Sequence, residues 1–294
     1  MNIGIVSVSV ILFLAITGCL IENRRELRTF QVTKYQVTSE KLRSLKRKRR
    51  VVFLSDLHNY SYGEHNEKLF EAVRGADPDM ILIGGDMLVR KDGTSYEETL
   101  RFLGRLPQIA PVYCANGNHE QRLKEYPEKY EQSYQAYKKG LEKAGIRLLE
   151  NESVNLCWDG VPVSVTGLEI PLRGYQKFRH SKIERKEIDG RIGKASDAYQ
   201  ILMAHHPAYV PLYKEWGADL ILCGHLHGGV MRLPWVGGVI GPDFLLFPHY
   251  SGDIYREDKK TIVVSKGLGV HSVPIRLWNP AELVVLEIDG VRGV

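Results

Sequence analysis

Val51-Val52-Phe53-Leu54-Ser55-Asp56-Leu57-His58 is the stretch on which the reading of this chain turns. Its four apolar residues, three of them β-branched or aromatic, spell a buried strand. The strand runs into an acid and an imidazole two residues apart. Open α/β sheets carry their chemistry on such a loop. A carboxylate and a neutral imidazole are ligands for Zn²⁺, Mn²⁺ or Fe²⁺. Alone, Asp-x-His is equally a polar loop that caps the next helix, so the reading depends on whether other strands end the same way.

Four more do. Met80–Ile83 ends in Gly84-Gly85-Asp86, and Val112–Ala115 ends in Asn116-Gly117-Asn118-His119-Glu120. Ile201–Ala204 ends in His205-His206-Pro207, and Leu220–Cys223 in Gly224-His225-Leu226-His227-Gly228-Gly229. A single strand-end Asp is usually a turn residue, and a single His usually packs or faces solvent. Strands of one sheet, however, bring their ends to one edge, so the five clusters are expected to converge. Two Asp, one Asn and several His without a thiolate suit borderline and hard divalent metals. The set exceeds the three or four protein ligands of one catalytic metal and fits two metals bridged by a carboxylate.

Taken in order, Asp56-Leu57-His58, Gly85-Asp86, Gly117-Asn118-His119-Glu120, His205-His206-Pro207 and Gly224-His225-Leu226-His227 resemble the five signatures of the calcineurin-like metallophosphoesterase superfamily. The resemblance runs from about residue 51 to the end of the chain. The tail, with Arg232-Leu233-Pro234, Gly267-Leu268-Gly269 and Ile275-Arg276-Leu277-Trp278-Asn279-Pro280, is similar to a bacterial membrane-anchored branch. That branch includes phosphodiesterases and a hydrolase of a UDP-diacylglucosamine lipid precursor. The resemblance implies an α/β fold of two mixed β-sheets packed as a sandwich and flanked by helices. It implies one metal held by Asp56, His58 and His227, a second held by Asn118, His205 and His225, and Asp86 bridging them. His119 would be the catalytic group, facing the scissile phosphorus without binding metal, and His206 falls outside the ligand set. Leu226 and Val230 stand where the branch often has a small polar residue and a Gln, which bears on substrate identity rather than on metal binding.

The chemistry expected of such a site is hydrolysis of a phosphoester or pyrophosphate bond. Two cations lower the pKa of a bridging water and neutralise the phosphate, so that hydroxide attacks in line without a covalent intermediate. The chain has no Gly-x-Ser-x-Gly and no Walker-type loop, which agrees. The leading expectation is a phosphodiesterase on a lipid-linked or otherwise membrane-near phosphate. A phosphomonoesterase or phosphoprotein phosphatase on the same site, a nuclease, and a non-catalytic metal-stabilised membrane scaffold are the alternatives.

Outward from this centre, Ile3 to Ile21 carries no charge and is long enough to span a bilayer's hydrocarbon core of roughly 30 Å. No Lys or Arg precedes it, so an uncleaved single-pass anchor is expected over a signal peptide. Ile16-Thr17-Gly18-Cys19 resembles a lipoprotein box, which is the rival reading. Residues 24–50 hold eleven Lys/Arg against two acids, while residues 51–294 sum to −3. The charge belongs to one segment, which argues against a nucleic-acid partner. By the positive-inside tendency the body lies in the cytoplasm, with Lys46–Arg50 either touching anionic lipid or serving as a solvated connector. The organisation expected is therefore an anchor over 1–22, a basic juxtamembrane segment with one strand over 23–50, and a catalytic domain over 51–294.

Along the body, Phe30–Val37 alternates as an antiparallel strand of the sheet containing Val51–Leu54. Helices are expected over Asn66–Val73 and Glu97–Leu106, and a core-facing aromatic seam over Tyr126, Tyr130, Tyr134, Tyr137 and Leu141. Ile146–Leu149, Val161–Leu168, Thr261–Ser265 and Leu283–Ile288 read as further strands, and 173–198 as a surface loop with a short helix. Cys114, Cys157 and Cys223 read as unpaired buried thiols. The apolar run Trp235-Val236 and Phe244–Phe247 is assigned to core packing over a lipid-tail pocket or a bilayer contact.

Overall fold

The computed structural model describes residues 3–90, 94–130, 133–178, 181–241, 244–270 and 274–291. The strands, in chain order, are β1 (Phe30–Ser39), β2 (Arg49–Leu54), β3 (Met80–Ile83), β4 (Val112–Cys114), β5 (Arg147–Leu148), β6 (Glu152–Trp158) and β7 (Val161–Leu168). They continue as β8 (Tyr199–Ala204), β9 (Leu220–Cys223), β10 (Arg232–Leu233), β11 (Gly237–Gly238), β12 (Asp253–Glu257), β13 (Lys260–Val264) and β14 (Ala281–Gly290). Two six-stranded sheets result, in the orders β1-β14-β2-β3-β4-β5 and β12-β13-β9-β8-β7-β6, with β10 and β11 as a separate hairpin. Both sheets are mixed: β14 runs antiparallel to β2, while β6/β7 and β12/β13 are antiparallel hairpins flanking parallel strands.

Strand alternation explains the layering. Val51 and Phe53 of β2 face the second sheet and pack with Val163, Ile201 and Leu222. Their neighbours Val52 and Leu54 face the other way, onto α2 (Glu67–Gly75), α3 (Glu97–Arg105) and, beyond α4 (Asn118–Glu125), α5 (Ser133–Ala144), through Leu69, Phe102 and Tyr137. The outer face of the second sheet packs on α6 (Arg185–Ile192) and α7 (Val210–Trp216), through Ile188, Val210 and Tyr213. Two sheets between two helical layers is the expected sandwich.

Several details depart from the sequence reading. The site-bearing strands do not share one sheet: β2, β3 and β4 belong to the first, β8 and β9 to the second. The strand after the apolar helix runs opposite in direction to β2, but it is an edge strand whose partner is β14, in parallel register from Phe30↔Ala281 to Ser39↔Gly290. The aromatic seam is not one helix. α4 ends at Glu125, Tyr126 is exposed, and only Tyr134, Tyr137 and Leu141 form the buried face of α5. Cys157 is exposed on the edge strand β6, whereas Cys114 and Cys223 are buried.

The basic run is held by acids. Arg47 and Arg49 pair with Asp79, Arg49 with Asp159, Lys48 with Glu287 and Arg50 with Asp77. Residues 49–50 open β2, so this cluster sits at the end of the sheet opposite the metal-type residues. Its acid partners make it a surface ion-pair network rather than a bare cationic patch. The apolar helix, α1 (Ile3–Glu26), includes one segment, Ser7–Glu26, long and apolar enough to cross a membrane.

Candidate metal centre

The C-terminal ends of β2, β3 and β4 meet those of β8 and β9 between the two sheets. Asp56, His58, Asp86, Asn118, His205, His225 and His227 are all buried there. His119, at the start of α4, is the predicted site residue that is not fully buried. Three groups of donors have their ligand atoms within 4.8 Å of one another: Asp56/His58/His227, His58/Asp86/His119 and Asp86/His205/His225. The groups share His58 and Asp86, so the predicted Asp and His ligands and His119 form one continuous cluster. His205 Nε2 lies 3.2 Å from Asp86 and 3.6 Å from Asp56, and His227 Nε2 lies 3.4 Å from Asp56. The Nε2 atoms of His58 and His227 are 3.0 Å apart.

The backbone is bent hard to make this happen. Asp56, His58, Asp86, His225 and His227 all have positive φ, between 49° and 70°. Non-glycine residues rarely adopt that region, and where they do the strain clusters at functional sites. Gly85, at φ 92°, lies so close to the Asn116–Gly117 backbone that any Cβ there would collide with it. The Asp86 and Asn118 loops therefore sit in direct contact.

Groups around the donors fix their orientation. His205 Nδ1 bonds to the Gly84 carbonyl at 2.8 Å, which directs Nε2 inward. Asp56 is held by the Ser55 hydroxyl (2.6 Å) and the His225 N–H (2.9 Å). Asp86 accepts the His119 N–H at 2.8 Å. Glu120, fully buried, accepts the N–H groups of Asp86, Leu88 and Gly117, tying two metal-site loops together. Asn279 donates to the carbonyls of His227 (2.7 Å) and Gly229 (2.5 Å). Tyr175 lies against the ring of His206 at 5.3 Å and edge-on to His225 at 5.2 Å. His206 itself caps the turn at Pro207–Tyr209, accepting the Ala208 N–H.

Of these supports, Glu120 stood in a quoted motif without a role. Asn279 likewise stood in the quoted tail without a role, and Tyr175 gave no local signal, because the ring it packs on is about 30 residues away in sequence. The one available cue was Glu120 at the third position of a helix opened by Gly117, where an acid reaches back to the preceding backbone.

Buried carboxylates and imidazoles in contact set the electrostatics of the cluster. Burial pushes the Asp56 carboxyl up to about 6, against the pull of His205. Burial also works against ionisation of Asp86, but His205 and His119 hold it well below the usual carboxylate range. Burial opposes the His205 cation, yet Asp86 and Asp56 push it up to about 10. Burial, reinforced by Asp86, raises Glu120 to about 7. Asn118 Oδ1 is buried with no hydrogen-bond partner, an expense that a cation in contact with it would remove. The orphaned carbonyl oxygen, the paired carboxylates and the inward imidazoles fit divalent metals bound by O and N donors.

Two mixed sheets whose strand ends pool Asp, Asn and His at their shared edge define a dinuclear-metal hydrolase architecture. Residues 49–229 match the calcineurin-like phosphoesterase family, and the chain belongs to that family. It is 26% identical over 246 residues to the uncharacterized metallophosphoesterase YkoQ of Bacillus subtilis (strain 168), covering 83% of this chain and 84% of that protein. It is 25% identical over 242 residues to the phosphodiesterase YaeI of Escherichia coli (strain K12), covering 81% of this chain and 82% of that protein. Among solved structures it aligns with TT1561 of Thermus thermophilus at a TM-score of 0.45 and 15% identity, over 75% of this chain and 90% of that one. A metal-dependent phosphoesterase activity of the calcineurin-like type follows from the family and the donor cluster together.

Proposed function

We propose that this protein is a dinuclear-metal phosphodiesterase working at a membrane. The observation that carries the reading is the shared donor cluster, in which Asp86 stands within reach of His58, His119, His205 and His225. On this reading Asp56, His58 and His227 hold one metal, Asn118, His205 and His225 the other, and Asp86 bridges them. Mn²⁺, Fe²⁺ and Zn²⁺ are the metals suited to this set. Bound there, such a pair supplies an activated water and neutralises phosphate charge.

The chain's own residues do the rest. His119 Nδ1 accepts the Arg90 N–H at 2.8 Å, so the neutral ring carries its proton on Nε2. On this reading His119 acts as the general acid toward the leaving oxygen. Near His119 the Arg122 guanidinium donates to the Tyr175 carbonyl at 3.4 Å, and burial, with the neighbouring Arg90, disfavours its cation. The apolar helix α1 is read as an uncleaved anchor. With Arg47–Arg50 engaged by acids, and Arg25 by Glu22, the cytoplasmic orientation rests chiefly on Arg24 and Arg28 just past the span. A phosphodiester substrate agrees with the name of the Escherichia coli relative.

The test compares a synthetic phosphodiester with its monoester, using the full chain in detergent with Mn²⁺. Preference for the diester is expected. Preference for the monoester would move the assignment to a phosphomonoesterase, and no turnover with any of several divalent metals would remove the enzyme reading. A C-terminal reporter found outside the cytoplasm would overturn the orientation.

A further inference from the structure

The sequence reading placed Trp235, Val236, Phe244, Leu246 and Phe247 in the core. The structure puts them on the surface: Trp235 is fully exposed and the other four are more than half exposed. Phe178, 70% exposed, stacks on Phe244 with ring centroids 5.3 Å apart. Trp278, also exposed, lines the same depression of about 580 Å³ as Trp235. Met231 bridges to Leu277, so the 231–247 segment and the 275–278 segment form one surface. Such a concentration of exposed aromatic and aliphatic side chains is unusual on a soluble face and marks a contact surface.

Its rings are held outward at a conformational cost. Phe178, Trp235, Phe244, Phe247 and Trp278 all have positive φ, between 49° and 70°, a backbone region that bulky side chains seldom occupy.

Two links tie this face to the metal cluster and to α1. Trp278 precedes Asn279, which bonds to the carbonyl of His227. Phe178 follows three residues after Tyr175, whose ring lies against His206. The base of α1 docks beside the same segment: Asn23 bonds to the Pro274 carbonyl and the Arg276 N–H, and Glu26 accepts the Asn279 N–H. The apolar helix thus meets the body next to the aromatic face, on the side that bears the metal-type residues. A cation rims the face, since Lys177 Nζ sits 5.2 Å from the Phe244 ring centroid. Trp, Phe and Lys together are the composition of a membrane–water interface.

We propose that the face formed by Phe178, Trp235, Phe244, Leu246, Phe247 and Trp278 contacts a lipid bilayer directly, laying the rim of the metal site against the membrane surface. The inference rests on α1 being a membrane anchor, and its test separates the two. The full chain is mixed with phosphatidylcholine vesicles whose acyl chains are either plain or brominated. Of the four tryptophans, Trp158 and Trp216 are buried, so quenching by bromine reports Trp235 and Trp278. Flotation of the vesicles reports the anchor independently.

Flotation with quenching that falls at least about twofold in a W235F/W278F double variant is the expected result, because interfacial tryptophans lie within reach of the acyl chains. Quenching without stable flotation sustains the face and removes the anchor. Flotation without quenching overturns the face and leaves the anchor standing, and the absence of both overturns both. Tryptophan emission already shifted to the blue before lipid is added, and unquenched afterwards, would mean that a second copy of the chain covers the face, which also overturns the proposal.

Discussion

Asp86 sits 3.2 Å from His205 and 3.7 Å from His58, with a His119 ring nitrogen within 4.8 Å, so its carboxylate lies between both halves of the cluster. Replacing it with Asn should loosen both metals together, by more than about 100-fold in affinity, since even outlying supports of a metal site are worth 10–100-fold. Metal analysis of purified D86N checks this. His119→Ala should keep its metals and lose roughly 10²–10⁴-fold in turnover, the usual worth of a general acid. Loss of metal from H119A would instead make His119 a ligand. Gly85→Ala tests the packing beneath them. With φ at 92° and Gly117 in the way, a methyl group forces the two loops apart. Destabilisation by several kcal/mol is expected in thermal unfolding, roughly the range of severe core changes. The thiols report on the interior: burial pushes Cys114 up to about 12. A maleimide at pH 8 should therefore modify Cys157 in the folded body and reach Cys114 and Cys223 only after denaturation.

Elements show how loops are held to scaffolds. Glu150 lies where the chain passes from the first sheet to the second, and it binds Lys124 of α4 at 2.9 Å and Tyr134 and Lys138 of α5. Burial opposes its ionisation, but Lys138, Tyr134 and Lys124 hold its carboxyl down at about 2, against an ordinary 4.5. An acid lowered on folding stabilises the fold fully above its unfolded value and loses that contribution as pH falls through its folded one. E150Q should therefore be less stable than the parent at neutral pH, with the difference shrinking between pH 4.5 and about 2. Unfolding by urea across that window measures it. Asn279→Ala, which frees the His227 loop, should weaken metal binding by about 10–100-fold while the sheets stay intact.

Legibility at this scale followed one rule. Where a strand was short, buried and ended in a chemical residue, the sequence found it: Met80–Ile83 and Leu220–Cys223 to the residue, β2 and β8 from their third residue on, and β4 with one residue too many. Where the signal was periodicity alone, it misled. Tyr126 continues the spacing of Tyr130 and Tyr134, yet α4 stops before it, because nothing in the spacing marks the break between two helices. Glu152–Trp158 went unread although Val154, Leu156 and Trp158 alternate toward the core along it. The exposed aromatic run at 235–247 read as core because composition reveals hydrophobicity and not which side of the chain has neighbours.

At the scale of the whole molecule, the sandwich explains why five motifs spread over 172 positions form one site: each sheet delivers its strand ends to the same edge. Residues that no motif links then lock the arrangement, Glu120 between two loops and Asn279 between His227 and the stem of α1.

The parallel pairing of β1 with β14 carries a consequence for biogenesis. Phe30 emerges from the ribosome right behind the apolar helix, but its partner Ala281 is made 251 residues later. At ordinary elongation rates the wait is on the order of tens of seconds. β2 also lacks β14 for all of that time, and the bond from Asn279 to His227 cannot form before residue 279 exists. The nascent body thus stays open at the seam beside its future metal cluster until β14 has been made. The donors themselves are all made by His227, so it is the bracing of the centre by β14 and Asn279 that comes last.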